Sequence, residues 1–406
     1  MNKVELGGID MQKNTNWHKE TAMIHEGYDS KDHQGSLAVP LYQTSTYVFD
    51  SAEQGERRFA GEEAGNIYSR LGNPTVAVLE ERIAKMEEGA AGLAFASGMA
   101  AVSAVLVHLT KANEHVICSR GIYGCTFGLL KILEEKYNIT HDLISMKTEE
   151  EIEKAVKPET TCIYVETPIN PTMELVDLEA VVNVAKRHNL KVVVDNTFCS
   201  PYIQTPLSFG VDFVLHSATK YINGHGDVIA GLLVGKDADE IAKMHGTVLK
   251  DYGGIISPFD AWLLLRGIKT LPIRMERHSS NAKILFEYLK KHPKVEDVFY
   301  PFDDQHPQFE IAQKQMKLGG GLISFTIKGG KEEAQKLLNH VTLIRLAVSL
   351  GDAETLMQHP ATMTHSGVPK EEREKMGVSD TLLRLSVGLE HMDDIMADLD
   401  QAFEAI

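Results

Sequence analysis

Cysteine is scarce in this chain. Its 406 residues include four cysteines, Cys118, Cys125, Cys162 and Cys199, and no two of them form a CxxC pair. A small secreted domain held together by disulfides would need more cysteines. The count therefore favours reduced thiols in a cytoplasmic protein.

Positive charge is also in short supply. Lys and Arg number 41 against 57 Asp and Glu, which gives a formal net charge of −16 at pH 7. An acidic surface repels the phosphate backbone of DNA and RNA. We therefore expect no nucleic-acid partner.

Export and membrane signals are weak. The opening residues, MNKVELGGIDMQKN, lack the apolar core of a secretory signal. Residues 89–110 carry no charged residue and are long enough to span a bilayer, but they are rich in Gly, Ala and Ser. The pair Ser97-Gly98 divides them, so we predict a buried strand, a turn and the start of a helix, with no membrane association.

Short apolar runs alternate with amphipathic stretches from Asn73 onward. Asn73 and Pro74 have the character of an N-cap and a first helical residue, and residues 177–188 repeat apolar side chains at helical spacing. Strands are predicted at 93–96, 115–119, 161–166, 191–195, 212–216 and 228–234. Strand–helix alternation with fully apolar strands predicts an α/β fold, a mostly parallel sheet covered by helices.

The C-terminal part continues the alternation on a smaller scale. A helical pattern begins near Asp260 and should be kinked or broken by Pro272. Further strands are predicted at 321–327, 342–348 and 382–387, with a last helix at 392–403. We expect an N-terminal arm (1–62), a large sheet domain (63–262) and a smaller C-terminal α/β domain (263–406).

A lysine follows an apolar run in DFVLHSATKYINGHG, residues 212–226. Burial lowers the pKa of an amine and frees its lone pair for attack on a carbonyl. The neighbouring hydroxyls of Ser217 and Thr219 could donate hydrogen bonds to a phosphate. Taken alone, Lys220 could equally be a salt-bridged lysine at the end of a strand.

Other chemically suggestive residues follow predicted strands. Asp195 ends KVVVD, where open α/β sheets gather ligands, and could keep a ring nitrogen protonated or cap a helix. Ser97, Gly98 and Met99 lead from a strand into a helix, whose free N–H groups suit a phosphate. Tyr123, between glycines, could stack on a cofactor ring or cover the core.

Together these four features resemble the Cys/Met-metabolism family of pyridoxal 5′-phosphate (PLP) enzymes, which have the aspartate-aminotransferase-like fold. Residues 212–226 match the cofactor-lysine pattern of that family throughout, and the resemblance extends from about Gly35 to the C-terminus. It includes YSR at 68–70 with NPT at 73–75, ETPxNP at 166–171, SLG at 349–351, HPA at 359–361 with TH at 364–365, and RLSVG at 384–388.

The resemblance implies a role for each candidate residue. Lys220 would carry PLP as a Schiff base and move protons between substrate carbons, and Asp195 would pair with the pyridinium. The phosphate would be held by Ser97, Gly98, Met99, Ser217 and Thr219, joined by Tyr68 and Arg70 of a neighbouring subunit. Tyr123 would stack on the ring and assist departure of the γ-substituent. Arg384, helped by Ser349, would take the substrate carboxylate through a bidentate pair. The same resemblance implies a homotetramer, a dimer of dimers with shared sites, and no metal.

Cys125 and Lys250 bear on the substrate. Cys125 stands where family members that process cystathionine usually have Gly, and Lys250 precedes Asp251 in the run LKDY. Both resemble the members that cleave L-methionine, which implies α,γ-elimination to methanethiol, 2-oxobutanoate and ammonia. The alternative is γ-elimination from cystathionine or homocysteine, because those members share every cofactor residue. Cys125 could also be structural, and Lys250 and Asp251 a solvated pair.

Three hypotheses from other classes compete with a PLP-dependent carbon–sulfur lyase. A nicotinamide-dependent dehydrogenase would need GxGxxG after a first strand, whereas GGG at 319–321 precedes one. A zinc site built on His359 and His365 lacks a third ligand at suitable spacing. A non-catalytic regulator with this fold would be expected to have lost Lys220 or Asp195.

Overall fold

The computed structural model describes residues 17–367 and 369–406, and two β-sheets organise them. The larger sheet has the strand order β1-β7-β6-β5-β4-β2-β3, and the smaller has the order β10-β11-β12-β9-β8. The strands are β1 (Ala91–Phe95), β2 (His115–Ser119), β3 (Thr140–Ile144), β4 (Thr160–Glu166), β5 (Lys191–Asp195), β6 (Phe213–Ser217), β7 (Gly231–Gly235), β8 (Val295–Phe299), β9 (Leu322–Ile327), β10 (Arg345–Leu346), β11 (Leu356–Gln358) and β12 (Leu382–Ser386).

Helices cover both sheets. They are α1 (Lys19–His25), α2 (Ala52–Phe59), α3 (Pro74–Met86), α4 (Gly98–Leu109), α5 (Gly124–Tyr137), α6 (Glu149–Ala155), α7 (Leu178–His188), α8 (Ser200–Ile203), α9 (Ala238–Met244), α10 (Lys250–Tyr252), α11 (Pro258–Ile268), α12 (Leu271–Lys291), α13 (Phe309–Gln315), α14 (Lys331–His340), α15 (Lys370–Lys375) and α16 (Met392–Glu404). Among these described helices, none combines the length and the apolar character needed to cross a membrane.

Parallel pairing sets the polarity of the larger sheet. Strands β6, β5, β4, β2 and β3 run parallel to one another. Strand β7 is antiparallel to both β6 and β1, so β1 runs in the same direction as β6. The carboxyl ends of β1, β2, β4, β5 and β6 therefore lie along one edge of the sheet, which is where α/β proteins bind ligands.

Burial on both faces explains the apolar strands. The three valines of β5 are at most 1% exposed, and Tyr164 of β4 is fully buried. A parallel sheet covered by helices on both sides needs such strands, and β-branched residues suit them. The predicted α/β class with a mostly parallel sheet is confirmed.

Local helix signals agree with the structure. The Asn73 side chain accepts a hydrogen bond from the N–H of Thr75 at 3.0 Å, so Asn73 is the N-cap of α3 as predicted. The helical pattern near Asp260 is divided as expected. Helix α11 ends at Ile268, and Pro272 lies in the first turn of α12, where its missing N–H costs nothing.

The predicted strand at 342–348 is largely wrong. Only Arg345–Leu346 forms a strand, pairing on one side with β11, and both residues are exposed. An edge strand of two exposed residues has little apolar burial to extend it. The remainder of this segment is a loop that leads to Ser349.

Candidate active site

The residues predicted to carry chemistry gather at the carboxyl edge of the larger sheet. Strand β1 leads to Ser97 and Gly98, and β2 leads to Tyr123. Asp195 ends β5, and Lys220 follows β6 by three residues. Because these strands end at the same edge of the sheet, residues that are distant in sequence lie close together there.

A helix N-terminus and a close backbone contact form a cradle beside β6. The Ser97 hydroxyl accepts from the N–H of Ala100 at 3.1 Å, which caps α4 and leaves the N–H groups of Gly98 and Met99 as orphan donors. A Cβ at Gly98 would lie 3.0 Å from Cβ of Ser217, so a side chain there would crowd β6. The cradle suits a phosphate.

The hydroxyls beyond β6 differ in availability. Thr219 Oγ1 accepts from the N–H of Ala230 at 3.1 Å and donates to the Ala230 carbonyl at 3.4 Å, which ties the lysine-bearing turn to the chain entering β7. Ser217 is bonded through its backbone N–H, which donates to Thr197 Oγ1 at 2.8 Å. Ser217 is therefore the better placed phosphate donor of the two.

Lys220 directs its amine toward the loop that precedes β11. Its Nζ donates to Ser349 Oγ at 3.2 Å. Burial, and secondarily the positive charge of Arg384, lower the pKa of Lys220, whereas the nearby Asp352 carboxylate raises it. The net direction favours a neutral, nucleophilic amine.

Arg384 is a buried cation held by neutral oxygens. Its Nη1 donates to Asn170 Oδ1 at 2.9 Å, and its Nη2 donates to the carbonyl of Ser349 at 3.0 Å. The Gln358 amide, turned with its oxygen toward the guanidinium, accepts from Nε at 3.2 Å. Burial lowers the pKa of Arg384 to about 10, so it remains charged at neutral pH. A buried cation fixed by neutral acceptors is ready to receive a carboxylate.

Asp195 lies at the end of β5 with one oxygen engaged. The N–H of Thr197 donates to Asp195 Oδ1 at 3.0 Å, and the Thr197 hydroxyl donates to the same oxygen at 2.5 Å. Burial raises the pKa of Asp195, and the Thr197 hydrogen bonds oppose that rise. A cationic ring nitrogen beside this carboxyl would restore its ionised form.

Tyr123 is the N-cap residue of α5 and is 45% exposed. Its N–H donates to Glu166 Oε2 at 2.8 Å, which ties the loop after β2 to the end of β4. A side-chain hydrogen bond with Cys125 and partial burial raise the pKa of Tyr123 to about 12. Cys125 itself is exposed, whereas the other three cysteines are buried.

Tyr68, Arg70 and Lys250 lie apart from this cluster. Arg70 Nη1 donates to the carbonyl of Lys250 at 2.7 Å, and its guanidinium lies 5.6 Å from the centroid of the Tyr68 ring. Lys250 Nζ pairs with Asp251 at 3.3 Å. Tyr68 is 41% exposed, and Arg70 is exposed as well. One chain thus leaves the side chains of Tyr68 and Arg70 exposed and that of Lys250 half-buried.

The histidines considered for zinc have structural contacts. His359 Nδ1 contacts Thr362 Oγ1 at 2.8 Å, and its Nε2 donates to the carbonyl of Asp380 at 2.9 Å. Both ring nitrogens of His359 are thereby engaged in holding the loop before β12.

Three residues of the site were missed from the sequence. Asn170 orients Arg384, and Glu166 is a buried carboxyl whose pKa burial and the nearby Asp195 raise well above the usual range. Asp352 lies beside Ser349 and Lys220. Asn170 and Glu166 belong to the ETPxNP motif at 166–171, which could have marked them as candidate site residues. Their contacts, however, depend on tertiary structure and could not be predicted from the motif.

The cluster fits PLP chemically. Orphan N–H groups and a glycine cradle suit the phosphate, and a buried carboxyl suits the pyridinium. A half-buried amine with a lowered pKa suits attack on the aldehyde.

Comparison with known proteins agrees with this geometry. The family model described as "Cys/Met metabolism PLP-dependent enzyme" matches residues 20–404. The L-methionine gamma-lyase of Fusobacterium nucleatum subsp. nucleatum is 53% identical over 390 residues, covering 95% of this chain and 98% of that protein. The cystathionine gamma-lyase of Bacillus subtilis is 41% identical over 388 residues, covering 96% of this chain and 100% of that protein.

A solved structure extends the likeness to three dimensions. The crystal structure of cystathionine gamma-lyase from Lactobacillus plantarum complexed with L-serine matches with a TM-score of 0.90 at 40% identity. The match covers 96% of this chain and 99% of that one. Sequence, fold and site therefore agree, and the chain belongs to the Cys/Met-metabolism family of PLP-dependent enzymes.

Proposed function

We propose that this protein catalyses the PLP-dependent α,γ-elimination of L-methionine to methanethiol, 2-oxobutanoate and ammonia. The observation that carries the proposal is the difference in identity between two kinds of relative. Identity is 53% with an L-methionine gamma-lyase and 41% with a cystathionine gamma-lyase, over nearly the same length. The two matches cover 95% and 96% of this chain, so the difference is not an effect of coverage.

Residues of the large sheet would hold the cofactor. Lys220 would attach it, Asp195 would face the pyridinium nitrogen, and Gly98, Met99 and Ser217 would hold the phosphate. Bound PLP supplies an electron sink that stabilises negative charge at the substrate α-carbon.

Arg384 would bind and orient the substrate carboxylate. Its hydrogen bonds to Asn170 and to the Ser349 carbonyl fix the guanidinium plane, so that little side-chain freedom is lost on binding. The low polarity around this buried group strengthens the ion pair.

Lys220 would move protons between the substrate carbons. Its Nζ is half-buried, and its lowered pKa favours the neutral form that removes the proton from Cα. The contact with Ser349 Oγ at 3.2 Å would then hold the released amine at the edge of the site.

Tyr123 would protonate the leaving thiolate. Its pKa of about 12 keeps the phenol protonated across the ordinary working range, which an acid requires. Its backbone hydrogen bond to Glu166 holds the loop at the strand edge. Cys125 beside it would shape the end of the pocket that receives the thioether.

The working assembly would be a homotetramer, a dimer of dimers with shared active sites. Support comes from the outward placement of Tyr68 and Arg70, which one chain leaves exposed. A guanidinium on that surface can reach a neighbouring phosphate and bind it bidentately. Lys250 would reach a neighbouring pocket from the same surface.

Two coarser expectations accompany this proposal. The chain would divide into an arm (1–62), a PLP-binding domain (63–262) and a C-terminal domain (263–406), and the two separate sheets support the second boundary. The protein would work in the cytoplasm, where buried free thiols such as Cys118, Cys162 and Cys199 stay reduced.

A product assay tests the function. The purified protein is incubated in turn with L-methionine, L-cystathionine and L-homocysteine, and volatile thiol and 2-oxobutanoate are measured. We expect L-methionine to give methanethiol and 2-oxobutanoate in equal amounts, and the Lys220→Ala variant to give neither. A much higher kcat/KM with cystathionine or homocysteine would instead favour the γ-lyase alternative.

A further inference from the structure

Asp352 is a buried carboxyl that the proposed mechanism does not use. The residue is 7% exposed, and its Oδ1 is buried without a hydrogen-bond partner among the described residues. A buried carboxylate without full hydrogen bonding is costly, so such groups tend to serve a charge nearby.

A close backbone contact brings this carboxyl to the cofactor lysine. Gly351 has φ of +79°, and a Cβ there would lie 2.7 Å from the nitrogen of Tyr221 and 3.1 Å from the carbonyl carbon of Lys220. Only glycine permits both the conformation and the approach. The loop from Ser349 to Asp352 is thereby pressed against the chain at Lys220.

Strand β12 and the chain after it hold the loop rigidly from the other side. The Gly351 N–H donates to Ser386 Oγ at 3.0 Å, and the Leu389 N–H donates to the carbonyl of Ala353 at 2.7 Å. Thr355 donates from its N–H and its hydroxyl to the Glu390 carboxylate at 2.6 and 2.7 Å. A loop that is held by several hydrogen bonds keeps its side chains in fixed positions.

The Asp352 carboxyl fills the space between this loop and the turn after Lys220. A Cβ at Gly226 would lie 3.5 Å from both Cγ and Oδ1 of Asp352. The charged groups that act on the pair are Arg384, which lowers the pKa of Lys220, and Glu354, which raises the pKa of Asp352. The Asp352 and Lys220 charges attract each other, and the loop that carries Asp352 also carries Ser349, whose Oγ accepts from Lys220 Nζ at 3.2 Å.

We propose that Asp352 is a positioning residue that, together with Ser349 of the same loop, holds the free amine of Lys220 and balances its charge when the amine takes up a proton. The inference rests on the proposed function, since only a lysine released from the cofactor has a free amine to hold.

The two pKa directions are consistent with this role. Burial raises the pKa of Asp352 and lowers that of Lys220, so burial alone favours the neutral form of each group. Their mutual attraction opposes burial in each case. Removing the carboxylate should therefore lower the pKa of the Lys220 amine further.

The test compares charge with geometry in the full-length protein. Asp352→Asn removes the charge and keeps the shape, whereas Asp352→Glu keeps the charge. The matched control is Glu354→Gln, which removes an exposed carboxylate two residues away. Asp352→Ser is a second neutral variant for use if circular dichroism shows that the Asn variant does not fold.

Two measurements distinguish positioning from a purely structural role. In the cofactor-free protein, competitive acetylation with mass spectrometry follows the reaction of Lys220 against pH. We expect half-maximal labelling at lower pH in Asp352→Asn and an unchanged curve in Glu354→Gln. In the PLP-loaded protein, we expect kcat with L-methionine to fall about ten-fold in Asp352→Asn with KM little changed, and to recover in part in Asp352→Glu.

Identical labelling curves in wild type and Asp352→Asn would overturn the proposal, as would an equal shift in Glu354→Gln. The labelling result does not depend on the substrate. A wild-type protein that shows the expected labelling but does not cleave L-methionine would contradict the proposed function while leaving the lysine–aspartate contact standing.

Discussion

The Arg384 side of the site and the Tyr68 side are built in opposite ways. Arg384 is 2% exposed, and residues from three separate segments of the same chain hold its guanidinium. Tyr68 is 41% exposed, and Arg70 beside it meets only a backbone carbonyl and that aromatic ring among the contacts of the described chain. One chain thus completes the carboxylate and lysine side by itself. Arg70, by contrast, is an exposed cation, which in the proposed assembly would bind the phosphate of a neighbouring chain's site.

Subunit mixing gives the strongest test of whether Arg70, unlike Arg384, acts in the site of a neighbouring chain. Lys220→Ala and Arg70→Ala should each be nearly inactive alone. If Arg70 serves the neighbouring site, a mixed dimer has one site with both native residues and one with neither. Random co-refolding should then restore roughly a quarter of wild-type activity, because about half of the dimers are mixed.

The control for this experiment mixes two variants whose changed residues belong to the site of the same chain. Arg384→Ala and Lys220→Ala lie in the same chain's site, so every site in their mixed dimers keeps a lesion and no activity should return. If the Arg70 pair behaves in the same way while mixed oligomers are present, Arg70 acts within its own chain and the comparison is wrong.

Tyr123→Phe tests whether the hydroxyl of Tyr123 acts as an acid. The phenyl ring can still stack, whereas the acid that protonates the leaving thiolate is lost. We expect kcat with L-methionine to fall by about 10²-fold, with cofactor affinity nearly unchanged.

The pH dependence of that loss follows from the direction of the pKa shift. A pKa raised to about 12 keeps the phenol protonated until far above neutrality, so the ratio of wild-type to variant kcat should stay constant from pH 6 to 9. A ratio that collapses within this range would show that the hydroxyl loses its proton there, and an unchanged kcat would exclude an acid role.

Cys125 should have the smallest effect, one on substrate choice. The side chain is exposed beside Tyr123 and belongs to neither the lysine nor the carboxylate contacts. Cys125→Gly should lower kcat/KM for L-methionine more than for L-cystathionine, by a few-fold to about ten-fold, since the loss of one contact at an exposed position falls at the low end of the range of about 1–3 kcal/mol. Lys250→Gln, on the outward surface, serves as a companion variant. If the ratio between the two substrates does not move, Cys125 has no part in selecting methionine.

Sequence patterns located the buried strands best. Strands β2 and β5 match the predicted bounds, because a parallel strand buried on both faces is a continuous apolar run. Strand β3 (Thr140–Ile144) was missed, since it lies at the edge of the sheet and its five residues, THDLI, are only partly buried. Strand β11 is three residues long, too short for any periodicity to show.

The candidate site likewise contains residues that the sequence indicated and residues that it did not. Lys220, Asp195 and Arg384 lie in motifs whose residue types alone suggest chemistry, and the structure brings Lys220 and Arg384 together around Ser349. Asp352 could not be identified from the sequence, because its importance depends on how Gly351 packs against Lys220. Contacts between distant segments follow from tertiary packing, which single-residue patterns do not encode.

The central claim is that the amine of Lys220 carries the cofactor. The most direct test is to reduce the PLP-loaded protein with borohydride, digest it and locate the phosphopyridoxyl group by mass spectrometry. The account predicts the group on the peptide that contains Lys220, and no labelled peptide from Lys220→Ala. A phosphopyridoxyl group on another lysine of the wild-type protein, or on none, would contradict it.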